Sequence, residues 1–350
     1  MATVYSLVCE NGSAGTYWSG LTAAQKLRYG PVGSERVYSG IQAALSPLST
    51  ALRQDIHVIE IGSAFVDSYS SSTVIDSSLT AGKIIITTTI DGVLSDAFHF
   101  GNISGTTGGY IHKSTAYGGS LSLSRQDIEV FGIKAIGTGT YGIGFSISAA
   151  LVKVNSCIAT TTAGGNTQKG FSARTQAVAC EIVNCIAVAP SSTTGFTCYN
   201  LPRYSGNGSI VKNCLAIGFA GTVNGFSSGS SPVYWSVINS AAYGCSTNWS
   251  AAPDKAFILS NNAGESTDTP WGTSAITTLV SSHFDSDLKP TSTSPLIGAG
   301  MTPFDTKAVD ILYDVRPNYN PDGEEEWDIG CYEYDHGNGL APTTVTVEID

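Results

Sequence analysis

Three stretches in the middle of the chain are close copies of one another: "KVNSCIATT" from Lys153, "EIVNCIAVA" from Glu181 and "IVKNCLAIG" from Ile210. Aligned on Cys157, Cys185 and Cys214, they stand 28 and 29 residues apart. A further copy, "VINSAAYG", puts Ser240 in the cysteine's place 26 residues on, and "VFGIKAIG" puts Gly132 there 25 residues before. A second marker keeps step: the pairs Gly144-Phe145, Gly170-Phe171, Gly195-Phe196 and Gly225-Phe226 are 26, 25 and 30 apart. Two markers in phase demand a repeat architecture. The repeated words are short, rich in β-branched residues and broken by Gly, Ser, Asn and Thr, without the 3.6-residue period of helical repeats or a leucine ladder. A solenoid of β-coils remains, each coil laying its strand on the last at about 4.8 Å.

Equivalent residues of such coils stack into ladders. Side chains alternate along a strand, so either Cys157, Cys185 and Cys214 or the neighbouring Ile158, Ile186 and Leu215 face inward. Phe145, Phe171, Phe196 and Phe226 are expected to form one aromatic ladder. Asn155, Asn184, Asn213 and Asn239 stand just ahead of the cysteine place, where a residue that tolerates the left-handed region suits a bend.

Composition narrows the function classes. Only 13% of the 350 residues are charged, against about a quarter in an average domain. The net charge of −11 repels phosphates, which argues against nucleic acid. No apolar run reaches the ~20 residues of a membrane span, and the N-terminus lacks the basic start and apolar stretch of a signal peptide. The chain is therefore expected to be made in a cytoplasm and not exported, and its Asn-x-Ser sites carry no weight. The eight cysteines include no CxxC metal pair, and reduced, buried thiols are expected.

The repeat resembles the right-handed parallel β-helix, the pectate-lyase-like architecture. A second stretch strengthens the likeness: "SPLIGAG" from Ser294, Asp310, "VRP" at 315–317 and "DIGCYE" from Asp328. It resembles the closing motif of many bacterial and phage β-helix proteins. Gly298 stands where that motif has Asp, which removes one turn hydrogen bond, and the resemblance implies an Arg316–Asp328 ion pair that closes the end. The expected fold is all-β: a parallel β-helix over 55–333, closing from about 263. Residues 1–54 form a capping segment, with a short helix from Ser34 that turns Val37, Ile41, Ala44, Leu45 and Leu48 to one face. Residues 334–350 form an extended arm, in which Val345, Val347 and Ile349 alternate with Glu348 and the threonines as a partner-binding strand would.

No catalytic residue, metal site or cofactor is expected. A glycosidase needs two carboxylates across the bond it breaks, and a calcium-dependent lyase needs a carboxylate cluster. Between Gly132 and Ser250 the single acidic residue is Glu181. Tyr199, Tyr204, Tyr234, Trp235 and Trp249 are candidates for stacking on sugars, against the alternative that they stack between coils. The expected function is a non-catalytic structural virion protein of a tailed phage, on the virion surface: a capsid decoration (cement) protein or a short head or tail fibre. A trimer that contacts capsid or tail proteins is expected. The alternatives are a tailspike-like protein that binds or depolymerises host surface polysaccharide, and a bacterial polysaccharide lyase or adhesin.

Overall fold

The computed structural model describes residues 2–50, 55–91, 93–99, 101–103, 108–115, 119–161, 168–174, 177–190, 195–201, 208–219, 223–228, 235–250, 258–301, 310–311, 318–319, 325–332 and 334. The arm residues Val345, Val347, Glu348 and Ile349 lie outside them, as do Arg316, Tyr204 and Tyr234.

Among the described residues, three parallel sheets of ten, nine and seven strands are built from the chain between Thr3 and Leu279. One coil shows the plan. Val152–Asn155 lies in the first sheet, Ile158–Thr161 in the second and Lys169–Ala173 in the third. The next coil repeats it with Glu181–Val183, Ile186–Ala189 and Phe196–Leu201. Registers such as Val154↔Ile182 and Ile158↔Ile186 put equivalent residues on top of one another. The chain is a right-handed parallel β-helix.

The expected boundary near residue 55 moves. Thr3–Val8 pairs in parallel with Ile56–Ile61 along its whole length, so the solenoid begins at the third residue. The expected helix from Ser34 also shortens. Val37–Tyr38 is a strand beside Thr3–Val8, and the helix is Ile41–Leu45. Its start is fixed from another coil, because the Asp67 carboxylate accepts the Ile41 N–H at 3.2 Å. Ile41, Ala44, Leu45 and Leu48 pack on the end of the core, as expected of a cap.

The cysteine ladder faces inward, and the reason for its residue type lies in the bend. Ser156, Asn184, Asn213, Asn239 and Asn261 all have φ near +50° at the corner between the first and second sheets. The first of the five is a serine, not the Asn155 of the repeat. The residue after each bend needs an acceptor for its N–H. Cys157 N–H donates to Cys185 Sγ (3.5 Å) and Cys214 N–H to Ser240 Oγ (3.3 Å). The Cys185 thiol in turn points at the Val183 carbonyl (3.1 Å), as Ser240 Oγ points at Ile238 (3.0 Å). All eight cysteines are free and buried. They are expected to resist thiol reagents in the native state and to label without reductant once unfolded. Cys185→Ala leaves a void and an orphaned N–H, an expected cost of about 2–3 kcal/mol. Cys185→Ser is expected to cost less than half of that in urea unfolding, because Ser240 already holds the same place. Equal losses in the two variants would refute the hydrogen-bonding role.

Outside the corner, an asparagine ladder runs along the rod: Asn184 Nδ2 donates to Asn155 Oδ1 (3.3 Å) and Asn213 Nδ2 to Asn184 Oδ1 (3.2 Å). Asn239 leaves the ladder and bonds the closing segment instead, through Nδ2 to Met301 O (2.8 Å) and Oδ1 from Met301 N (2.9 Å). Ile158, Ile186 and Leu215 face outward but not into water. Phe284, Leu288, Leu296, Ile329 and Tyr332 of the closing segment cover them. Asp328 is buried and accepts Gly298 N–H (2.8 Å) and Tyr334 N–H (2.6 Å). Gly298, at φ 63°, takes a conformation that the motif's usual Asp adopts less readily.

Candidate functional site

Three of the five candidate sugar-stacking aromatics are inside the wall. Tyr199 and Trp235 are 0% exposed and Trp249 is 7% exposed, so none has a ring face for a sugar. They fill the core instead. Phe145, Phe171, Tyr199, Phe226 and Trp249 form one column, with successive centroids 5.1, 5.1, 4.6 and 4.4 Å apart and planes within 9°. Phe196 is not in it. The registers Phe171↔Tyr199 and Tyr199↔Phe226 give its expected place to Tyr199, while Phe196 pairs with Val223. Tyr199 keeps its hydroxyl satisfied by donating to the Cys185 carbonyl at 2.6 Å. Trp271 meets the end of the column edge-on, 5.3 Å from Trp249.

The ionisable side chains that sequence reasoning passed over gather near the N-terminal end. Glu60 is buried on the outside of the first sheet beneath residues 9–36. Arg28 donates to it through Nε (2.9 Å) and Nη2 (2.6 Å), and Tyr29 OH donates at 2.8 Å. Asp67, inside the second coil wall, accepts from Tyr110 OH (2.5 Å) and Tyr69 OH (2.9 Å) besides the Ile41 N–H, and His112 Nδ1 lies 3.7 Å away. Burial alone would raise the Asp67 carboxyl, but contacts from His112, Tyr110 and Tyr69 outweigh it and hold the group below the usual carboxylate range.

A third group joins the loop at 95–103 to the coils. His99 Nε2 donates to Ser156 O (2.6 Å), and Nδ1 accepts Gly101 N–H (3.0 Å), so the ring is the neutral Nε2–H tautomer. Burial pushes it down to about 3. Lys134, on the outer side of the second sheet in register with Ile158, is 0% exposed; its Nζ donates to Asn102 O (3.0 Å), and burial lowers it to about 8.

The open part of the first sheet carries carboxylates in a different company. Glu129 lies 3.1 Å from Lys83 and 3.7 Å from Lys153, and Lys153 is the register neighbour of Glu181. Each acid meets a lysine, whereas hydrolysis of a glycosidic bond needs two facing acids about 5–9 Å apart. Among the described residues no group of three or more His, Cys, Asp or Glu is placed to hold a metal.

No protein-family model matches the chain, and no curated protein matches it. Among solved structures, pectate lyase Pel9A is similar over 96% of this chain and 97% of its own, with 14% identity and a TM-score of 0.39. The registers within this chain carry the assignment by themselves, and they make it an all-parallel β-helix.

Proposed function

We propose that the protein is a non-catalytic structural component of a tailed-phage virion, a capsid decoration (cement) protein or a short head or tail fibre. The observation that carries this reading is where the chain spends its buried carboxylates. Glu60 locks the N-terminal segment onto the first sheet, Asp67 starts the capping helix, and Asp328 holds the closing turn. These acids are fasteners of a rod capped at its start and covered along one side. The likeness of the "SPLIGAG" and "DIGCYE" stretches to phage β-helix closing motifs supports the same reading. The protein is proposed to work as a homo-oligomer, a trimer, with residues 340–350 as its attachment arm.

The purified protein is expected to leave host capsule and lipopolysaccharide uncleaved, to run as a trimer in light scattering, and to be seen on the capsid or tail in immunolabelled virions. Deleting 340–350 is expected to leave the circular dichroism unchanged and to weaken virion association at least tenfold. Depolymerisation of either glycan, or label absent from virions, would overturn the proposal.

A further inference from the structure

We infer that the corner between the third and first sheets, at Leu151 and Val178, seats the C-terminal arm, residues 343–350, of a second copy of the chain. The inference rests on the proposed reading of residues 340–350 as an attachment segment, and it gives that segment its receiving surface.

Asp127, Leu151, Ala179 and Gly208 take equivalent places in four successive coils, all with φ between 50° and 75°. Asp, Ala and Gly are small or bond locally there, whereas a leucine is crowded by its own backbone. Leu151 is nevertheless 47% exposed, so burial in the core does not offset the strain. Val178, whose carbonyl accepts the Leu151 N–H at 2.9 Å, is 37% exposed beside it. Strain of this kind is kept where a contact uses it.

Cations flank the pair. The Lys153 side chain, two residues on from Leu151, is 53% exposed, and Glu129 at 3.7 Å engages one of its three donors. Arg174 is exposed on the other side. Lys169 starts the same strand, and burial first, then the Arg174 charge, hold its ammonium below the usual range. Between Gly132 and Ser250, six lysines and arginines stand against the single Glu181.

The arm is complementary in both respects. Val345, Val347 and Ile349 alternate with Thr344, Thr346 and Glu348, and Asp350 follows, with no base among them. Extended, such a segment sets its apolar side chains on one side and carries two carboxylates in its last three residues. Laid on the corner, it covers Leu151 and Val178 and brings Glu348 and Asp350 to Lys153 and Arg174. The donor is a neighbour. Tyr332 packs on the outside of the second sheet, and Asp328 holds the Tyr334 N–H. In a three-sided rod that face lies opposite the corner between the third and first sheets. Residues 335–342 span at most about 28 Å, enough to cross to a rod alongside. Each copy then gives one arm and receives one, which closes a ring of three.

The test is disulfide trapping in the full chain, whose eight native thiols are buried. Chains carrying Val178→Cys and chains carrying Val347→Cys are co-expressed and treated with a mild copper oxidant. A covalent dimer of unlike chains is expected, and the double variant is expected to run as a covalent trimer. Lys153→Glu combined with Arg174→Glu is expected to weaken the oligomer at least tenfold in sedimentation, and about 1 M salt to act in the same direction by screening. Leu151→Gly relieves the backbone and is expected to weaken the oligomer about fivefold with an unfolding midpoint the same or higher. Val32→Ser, equally exposed but on the N-terminal segment, is expected to change nothing. An intrachain disulfide in the double variant, the lack of an unlike dimer, or an oligomer that the corner variants leave intact would overturn the inference. Label on virions without the unlike dimer would sink this seat alone, whereas an unlike dimer without label on virions would sink the virion reading and leave the seat standing.

Discussion

Phe226→Ala is expected to remove about 3–5 kcal/mol of stability, the usual cost of deleting a fully buried aromatic ring. Phe226 is 0% exposed and stacks on Tyr199 on one side and Trp249 on the other. The substitution opens a cavity and ends both stacks, each worth about 0.5–1.5 kcal/mol beyond the area buried. Repeat proteins hold together through nearest-neighbour interfaces, so the break is expected to split one unfolding transition into two. The ring's neighbours pair through Tyr199↔Phe226 and Phe226↔Trp249, which makes this the joint between three coils. Phe226→Leu keeps most of the volume and is expected to cost less than half as much. A loss below about 1 kcal/mol for Phe226→Ala, in urea unfolding followed by tryptophan fluorescence, would mean that the column fills space without holding the coils.

Acid is the second lever, and His99 is where it acts. Its folded pKa, about 3, lies below the ~6.5 of an unfolded histidine. Between those values the unfolded chain binds a proton that the folded chain excludes, so stability is complete above about pH 6.5 and falls as pH drops toward 3. The difference corresponds to a loss on the order of 5 kcal/mol across that window. The structural reason is the Nδ1 lone pair, which accepts Gly101 N–H. A proton there turns the acceptor into a donor facing a donor. Lys134 bears on the same ring as a like charge. His99→Gln is expected to be less stable at pH 7 but to flatten the slope between pH 6.5 and 4. An unchanged slope would place the acid sensitivity elsewhere.

The period and the strand character were legible in the sequence, because coils in register must repeat residue types that share one environment; which of the Cys157 and Ile158 ladders faces inward was not, since alternation along a strand allows either. The aromatic column was legible in kind but not in membership. Gly195-Phe196 matches the local marker, yet the hydrogen-bond register, not the dipeptide, decides which ring stacks, and it selects Tyr199. The start of the solenoid was misplaced because Thr3–Val8 belongs to no full coil; "TVYSLV" lacks strict alternation, and its β-branched and aromatic residues were the strand signal available. Asp67 and His99 could not be found from spacing. Their partners, Ile41, Tyr110 and Ser156, are 26, 43 and 57 residues away, and only the wound chain brings them together.

The departure of Asn239 from the asparagine ladder fixes the coil at which the closing segment is pinned to the rod. Upstream, each amide donates its hydrogen bond to the coil before it, whichever coil that is. At Asn239 the same side chain accepts and donates to Met301, and Asn261 Nδ2 donates to Ala299 O (2.7 Å). A duplicated coil carrying its own asparagine, thiol and ring would fit the ladders between Glu181 and Ser209, but the closing segment also covers Ile158 and Ile186 and reaches Gly101 through the Tyr332 hydroxyl, so that cover would have to lengthen with the rod. It would extend the molecule by about 4.8 Å. The reach of such a rod is therefore tied to the segment that covers its side: coils can be copied in fixed increments only where that cover is extended with them.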